Sequence, residues 1–213
     1  MKALVTGFDP FGGEDLNPAV EALGRLKPAL GPLAIVTRTL PTVFGRCLRL
    51  LNEAIDETRP DIVLGVGLAG GRPSLSLERV AINLDDARIA DNAGRQPIDR
   101  PVVAGGPAAY FTTLPIKAAA QALRQAGLPA AVSNSAGTFV CNHLFYGLMH
   151  RAAQDGNRMR GGFLHIPYLP QQAARQASAP SMALEHIVQG IEIILAVAAA
   201  RHEDVVASEG ELS

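Results

Sequence analysis

Tryptophan is missing from this chain, cysteine occurs only twice, and aromatic residues make up just 5% of it. Two thiols cannot build the disulfide framework that staples small secreted domains, and nothing else in the composition asks for an oxidising compartment. Cys47 and Cys141 are therefore read as reduced. An excess of either charge is lacking too: 19 Lys and Arg face 20 Asp and Glu, leaving a formal net charge of -1. With no basic run to track a phosphate backbone, no nucleic-acid partner is expected. A long uninterrupted apolar run is also absent. The most apolar stretch, residues 182–200, carries Glu185, His186, Gln189 and Glu192, which argues against a membrane span. Its apolar residues, from Leu184 and Ile187 through Ile191, Ile194 and Leu195, recur at helical spacing and predict an amphipathic helix, with Ser181 as its N-cap. The first six residues hold one positive charge and an apolar stretch too short for a secretory signal, so a cytoplasmic location is expected.

What is present is enough apolar material for a packed interior: 48% hydrophobic and 18% charged over 213 residues. Residues 1–213 are expected to form one domain, with the acidic tail from about residue 202 frayed. Short apolar runs at 3–6, 35–40, 62–66, 130–134 and 163–166 alternate with helical patterns. Asn17-Pro18 reads as N-cap and first-turn proline of a helix to about Leu26; Phe44, Cys47, Leu48, Leu51 and Ile55 form one helical stripe, and residues 116–126 and 144–154 supply two more helices. This order predicts an α/β fold, a sheet with helices on both faces, whose sites gather beyond the carboxyl ends of the strands. Residues 85–115 break the pattern with loop chemistry. A loop this long inside a compact domain points to a site cover or a subunit contact.

Residues 65–70, Gly-Val-Gly-Leu-Ala-Gly, match a dinucleotide-binding pattern after a strand, but the pattern needs a helix opening at its end. Here Arg72-Pro73 leads into residues 74–84, which alternate like a strand, so a tight turn close to other backbone fits better. On that strand Glu78 shares parity with Val80, Ile82 and Leu84, and a carboxylate on an aliphatic face needs a partner. The strand pattern alone favours a structural ion pair with an arginine. Cys141 follows a strand and a small-residue turn and just precedes the helix that continues from Leu144. Helix-terminal amides there favour a thiolate, lowering the thiol pKa, and could bind an oxyanion. Cys47 lies within an apolar helical stripe and reads as inert packing. Among the five histidines, His143 and His150 sit seven apart on one helix, where partial exposure is the simplest account. His165 ends a buried strand just before a proline-punctuated loop, where a doubly covered sheet presents site residues. Without Cys141, a satisfied core histidine would be preferred. Cys141, His143, His150 and His165 lack a second pair at ligand spacing, so no metal site is expected.

These residues fall into blocks: Val5-Thr6-Gly7-Phe8-Asp9-Pro10-Phe11-Gly12-Gly13, Asn17-Pro18, Glu78-Arg79-Val80-Ala81-Ile82-Asn83, Ala136-Gly137-Thr138-Phe139-Val140-Cys141-Asn142-His143 and Gly162-Phe163-Leu164-His165-Ile166-Pro167. In this order they closely resemble the bacterial pyroglutamyl peptidase I family, also called pyrrolidone carboxyl peptidases, from Met1 through the tail. The resemblance implies a cysteine peptidase that removes N-terminal pyroglutamate from peptides, with Glu78, Cys141 and His165 as catalytic triad. It further implies a three-layer α/β/α sandwich with a mostly parallel sheet, no cofactor, a cytosolic location and a homotetramer. Ring-binding positions of the family fall on Phe8, Phe11, Asn17, Phe139 and Val140, although Phe8 and Phe11 read equally well as core packing beside a turn. Leu68 stands where many bacterial members have a glutamine whose amide lies near the substrate ring, so this chain departs from the family in the ring's polar contacts. Two other classes stay open on the residues alone. One is a nucleotide-handling α/β protein using the glycine-rich turns, and the other is a binding module that keeps the pocket without turnover.

Overall fold

The computed structural model of the protein describes residues 1–176 and 178–209. In chain order the elements are β1 (Lys2–Phe8), α1 (Pro18–Leu23), β2 (Ala29–Leu30), β3 (Leu33–Leu40), α2 (Arg46–Thr58), β4 (Ile62–Leu68), β5 (Leu75–Glu78), β6 (Val80–Ile82), β7 (Ala109–Phe111), α3 (Ile116–Gln125), β8 (Ala130–Ser133), α4 (Val140–Gln154), β9 (Arg160–Ile166), α5 (Pro170–Ala173) and α6 (Leu184–Ala200). Seven strands form one sheet in the order β2-β3-β1-β4-β9-β5-β8. The run β3, β1, β4 and β9 is parallel, while β5 pairs antiparallel with β9 and parallel with β8. The sheet is mostly parallel and covered on both sides, as expected. Its central strands β4 and β9 are buried along their whole length, which is why β4 reads as a continuous apolar and glycine run, and β9 nearly so but for Arg160 and His165, rather than as alternating ones.

Two apolar layers flank the sheet. One joins α1, α3 and α6 to the strands through Leu23, Leu123, Ile187 and Ile191; the other packs α2 and α4 through Leu51, Leu144, Phe145 and Phe163. Burying a side chain of this size removes it from water at a gain of roughly 1.5–3 kcal/mol each. The layer under α4 is the one that carries the chemistry.

Several expectations need correcting. Residues 74–84 are not one strand: the chain leaves the main sheet at Arg79, and β6 pairs instead with β7 in a separate two-stranded sheet. The parity argument for Glu78 fails with it, because Ala81 is buried while Val80 and Ile82 are only partly so. Helix α1 ends at Leu23, short of Leu26. Ser181 does not cap α6; Ala183 holds the cap position with no side-chain bond, and Ser181 instead forms an isolated bridge with Tyr168. The tail is docked as far as Glu209. Asp204 accepts the Lys117 and Ala118 amides at 2.9 Å and so caps α3, whose own N-cap residue, Pro115, offers no side-chain acceptor. Residues 210–213 of the tail lie outside the described residues.

Candidate active site

Glu78 ends β5 and is fully buried, and its Oε1 lies 2.7 Å from Nδ1 of His165, itself buried near the end of β9. The antiparallel pairing explains the reach. Ser76 is the register partner of His165 and Glu78 that of Phe163, so Glu78 and His165 share one face at a diagonal. The edge of His165 also meets the Phe163 ring, with centroids 5.0 Å apart. The same Oε1 accepts a second bond, 2.6 Å from Nη1 of Arg72, whereas Oε2 has no partner among the described residues.

Cys141 is the second residue of α4 and reaches the same face from the helix layer. Glycines make room for it: a Cβ at Gly67 would stand 2.9 Å from its Sγ and 3.0 Å from the Phe163 ring, and one at Gly65 would stand 2.6 Å from that ring. Gly67 is the register partner of His165, so the thiol lies over the strand beside the imidazole. Both side chains line one cavity of about 320 Å³. The turn feeding the helix uses Gly137 at φ 74°, and the Val140 and Cys141 amides have no partner among the described residues. The thiol itself was expected to be acidic, and here the structure disagrees. Burial pushes it up to about 12, the Glu78 charge adds to this, and only Arg72 opposes it. Desolvation, the largest cause, disfavours the charged thiolate.

The cavity also brings in Phe11, Leu68 and Phe139. It does not include Phe8, Asn17 or Val140. Phe8 and Val140 are buried in the layer beneath, and Asn17 spends its side chain as the cap of α1, accepting from the Ala19 amide at 3.0 Å and donating to the Asp9 carbonyl. Asp86, Arg88 and Ile89 of the long loop complete the wall. The histidine expected to be half-exposed, His143, is buried: Asp85 lies 2.8 Å from its Nδ1, and the Gly45 amide donates to its Nε2. Since Nε2 accepts, Nδ1 carries the proton. His150 is bound to Tyr110 and Gln154, so neither histidine turns toward Cys141 as a ligand would. Residues 65–70 run along β4 into a turn with no helix at their end, unlike a dinucleotide loop. Arg72 was missed at the sequence level, and so were the three loop residues. An arginine closing a Gly-Gly turn before a strand with a buried carboxylate was the signal available for the first.

A thiol over a strand, beside an imidazole that a buried carboxylate orients, can carry acyl transfer; fold and site together define a cysteine hydrolase on an α/β scaffold. The comparisons narrow the class. The chain belongs to the pyroglutamyl peptidase family, whose sequence model matches residues 1–202. It is 58% identical over 210 residues to pyrrolidone-carboxylate peptidase 1 of Ralstonia nicotianae, covering 98% of each chain. With the pyrrolidone-carboxylate peptidase of Brevibacillus brevis it shares 54% over 213 residues, 99% of this chain and 98% of that one. Among solved structures, pyroglutamyl peptidase I from Bacillus amyloliquefaciens superposes with a TM-score of 0.95 at 51% identity, over 97% of this chain and 99% of that one.

Proposed function

We propose that this chain removes the N-terminal pyroglutamyl residue of peptides through Cys141 as nucleophile, His165 as general base and Glu78 as the group that orients the base. The observation that carries the reading is the single cavity holding the thiol and the Glu78-bound imidazole together. With Nδ1 facing Glu78, Nε2 is the nitrogen free to take the thiol proton while Sγ bonds to the pyroglutamyl carbonyl carbon. The oxygen becomes an anion, for which the Val140 and Cys141 amides, without partners among the described residues, are the donors this reading assigns. Collapse breaks the C–N bond, the imidazolium proton passes to the departing amine, and a thioacyl-enzyme remains. Water gives a proton to His165 as it attacks; the C–S bond breaks, the thiol regains its proton and pyroglutamate leaves. A neutral lactam suits walls built largely from Phe11, Leu68, Phe139 and Ile89.

The same reading makes residues 1–213 one catalytic domain that works without a cofactor, in the cytoplasm, as a homo-oligomer and by family likeness a tetramer. Among the described residues no helix is long and apolar enough to cross a membrane. The test is hydrolysis of a pyroglutamyl chromogenic amide. The wild-type chain releases the chromophore, a thiol alkylator stops it, Cys141→Ala abolishes it and Cys47→Ser retains most of it. Equal losses in both cysteine variants, or no hydrolysis by the wild-type chain, would overturn the reading.

A further inference from the structure

Arg72 touches both halves of the site without reaching into the cavity. Its Nη1 donates to Glu78 Oε1 at 2.6 Å and lies 3.4 Å from Ser133 Oγ, while its Nη2 donates to the Ser135 carbonyl at 2.9 Å. Ser133 ends β8 and Ser135 opens the turn that leads to Cys141. One planar guanidinium thus bridges the carboxylate that holds the base and the turn that presents the nucleophile. Its own backbone is held by a turn, the Arg72 amide donating to the Ala69 carbonyl after Gly71 at φ 96°. A fully buried carboxylate requires a partner cation or several donors, and among the described residues Glu78 has two donors, the Arg72 guanidinium and His165, both on Oε1. Without Arg72, His165 would be the one hydrogen-bond donor left to that carboxylate among the described residues. The titratable side chains in this cluster are His165 from β9, Glu78 from β5 and the Cys141 thiol from α4, joined by the Arg72 guanidinium from the turn after β4.

We propose that Arg72 is a positioning residue for the reaction, setting Glu78, and through it His165, against the turn that carries Cys141. The inference rests on the function proposed above, and it makes a claim that reading does not contain: the arginine acts through Glu78. A guanidinium can donate to a carboxylate and to a carbonyl in one plane, whereas an ammonium supplies the charge without the fork.

A double-mutant cycle tests this, with turnover referred to folded enzyme by circular dichroism and Cys141 titration. Arg72→Gln is expected to lower kcat roughly ten- to a hundred-fold, the scale of a displaced catalytic group, with KM changed less than about three-fold. Arg72→Lys recovers part of the loss. In a Glu78→Gln background the Arg72→Gln change costs less than about three-fold, because its target has gone. An equal loss in both backgrounds, or unchanged kcat, overturns the proposal. If Arg72→Gln does not fold, the cycle is run with Arg72→Lys, whose smaller loss must likewise vanish beside Glu78→Gln; persistence of that loss is the overturning result. A wild-type chain that hydrolyses no pyroglutamyl amide would instead refute the function itself.

Discussion

At Cys141 two physical effects pull in opposite directions. The start of α4 offers amides with no partner among the described residues, while burial, with the Glu78 charge behind it, raises the half-buried Cys141 thiol to about 12. On the function proposed above, a thiol raised in this direction gives its proton to His165 as the sulfur attacks rather than beforehand. For a thiol raised this far, the thiolate fraction near neutral pH is small and grows with each step toward alkali. Carbamidomethylation of Cys141, followed by mass spectrometry of its peptide, should accelerate about tenfold per pH unit from pH 7 to 10. A plateau by pH 8 would mean that the helix end and Arg72 prevail over burial. His143 shows the opposite error of residue-level reading. Its spacing on α4 suggests a half-wet surface, yet the long loop brings Asp85 onto it, and a loop's path leaves no periodicity to read.

Among the elements, β4 matters as much for what it leaves out as for what it contains. Its two glycines keep the strand flat beneath Phe163 and Cys141, so a methyl group at position 67 has nowhere to go. Gly67→Ala should cost about 1–3 kcal/mol in urea midpoint measurements and lower kcat/KM at least about tenfold, because the thiol must shift. Full activity in that variant would place the sulfur elsewhere. The central strands were legible because buried parallel strands are plain apolar runs, and the helices of both layers because their stripes repeat at 3.6 residues. The break between β5 and β6 was not, since alternation continues through Arg79 while the backbone changes sheet. Strands β2 and β7, of two and three residues, are too short to show any period. Cys141, His165 and Glu78 could be singled out by position and by resemblance to known sequences. An arginine partner for Glu78 was also legible, and the Gly-Gly-Arg turn before β5 pointed to Arg72, but its bond to the Ser135 carbonyl lies across a second turn that no local pattern encodes.

On the scale of the whole molecule, the site gathers pieces that are far apart along the chain. Glu78 and His165 are separated by 87 residues, and Arg72 and Ser135 by 63. The two helical layers rest on mostly parallel pairings that also join distant strands, and the docked tail returns to α3 from 87 residues downstream of Lys117. The capping by Asp204 escaped sequence reading because an exposed acidic tail looks the same whether it is tethered or free. These separations also bear on how the enzyme comes to life. Closing long loops spends chain entropy before any contact repays it, so the cluster around Oε1 of Glu78 gains nothing until β5, β9 and the turn after β8 have all been brought together. After dilution from urea, hydrolysis should return with the slowest phase seen by circular dichroism and not ahead of it. Activity recovered in a faster phase would show that the catalytic cluster assembles before the sheet around it.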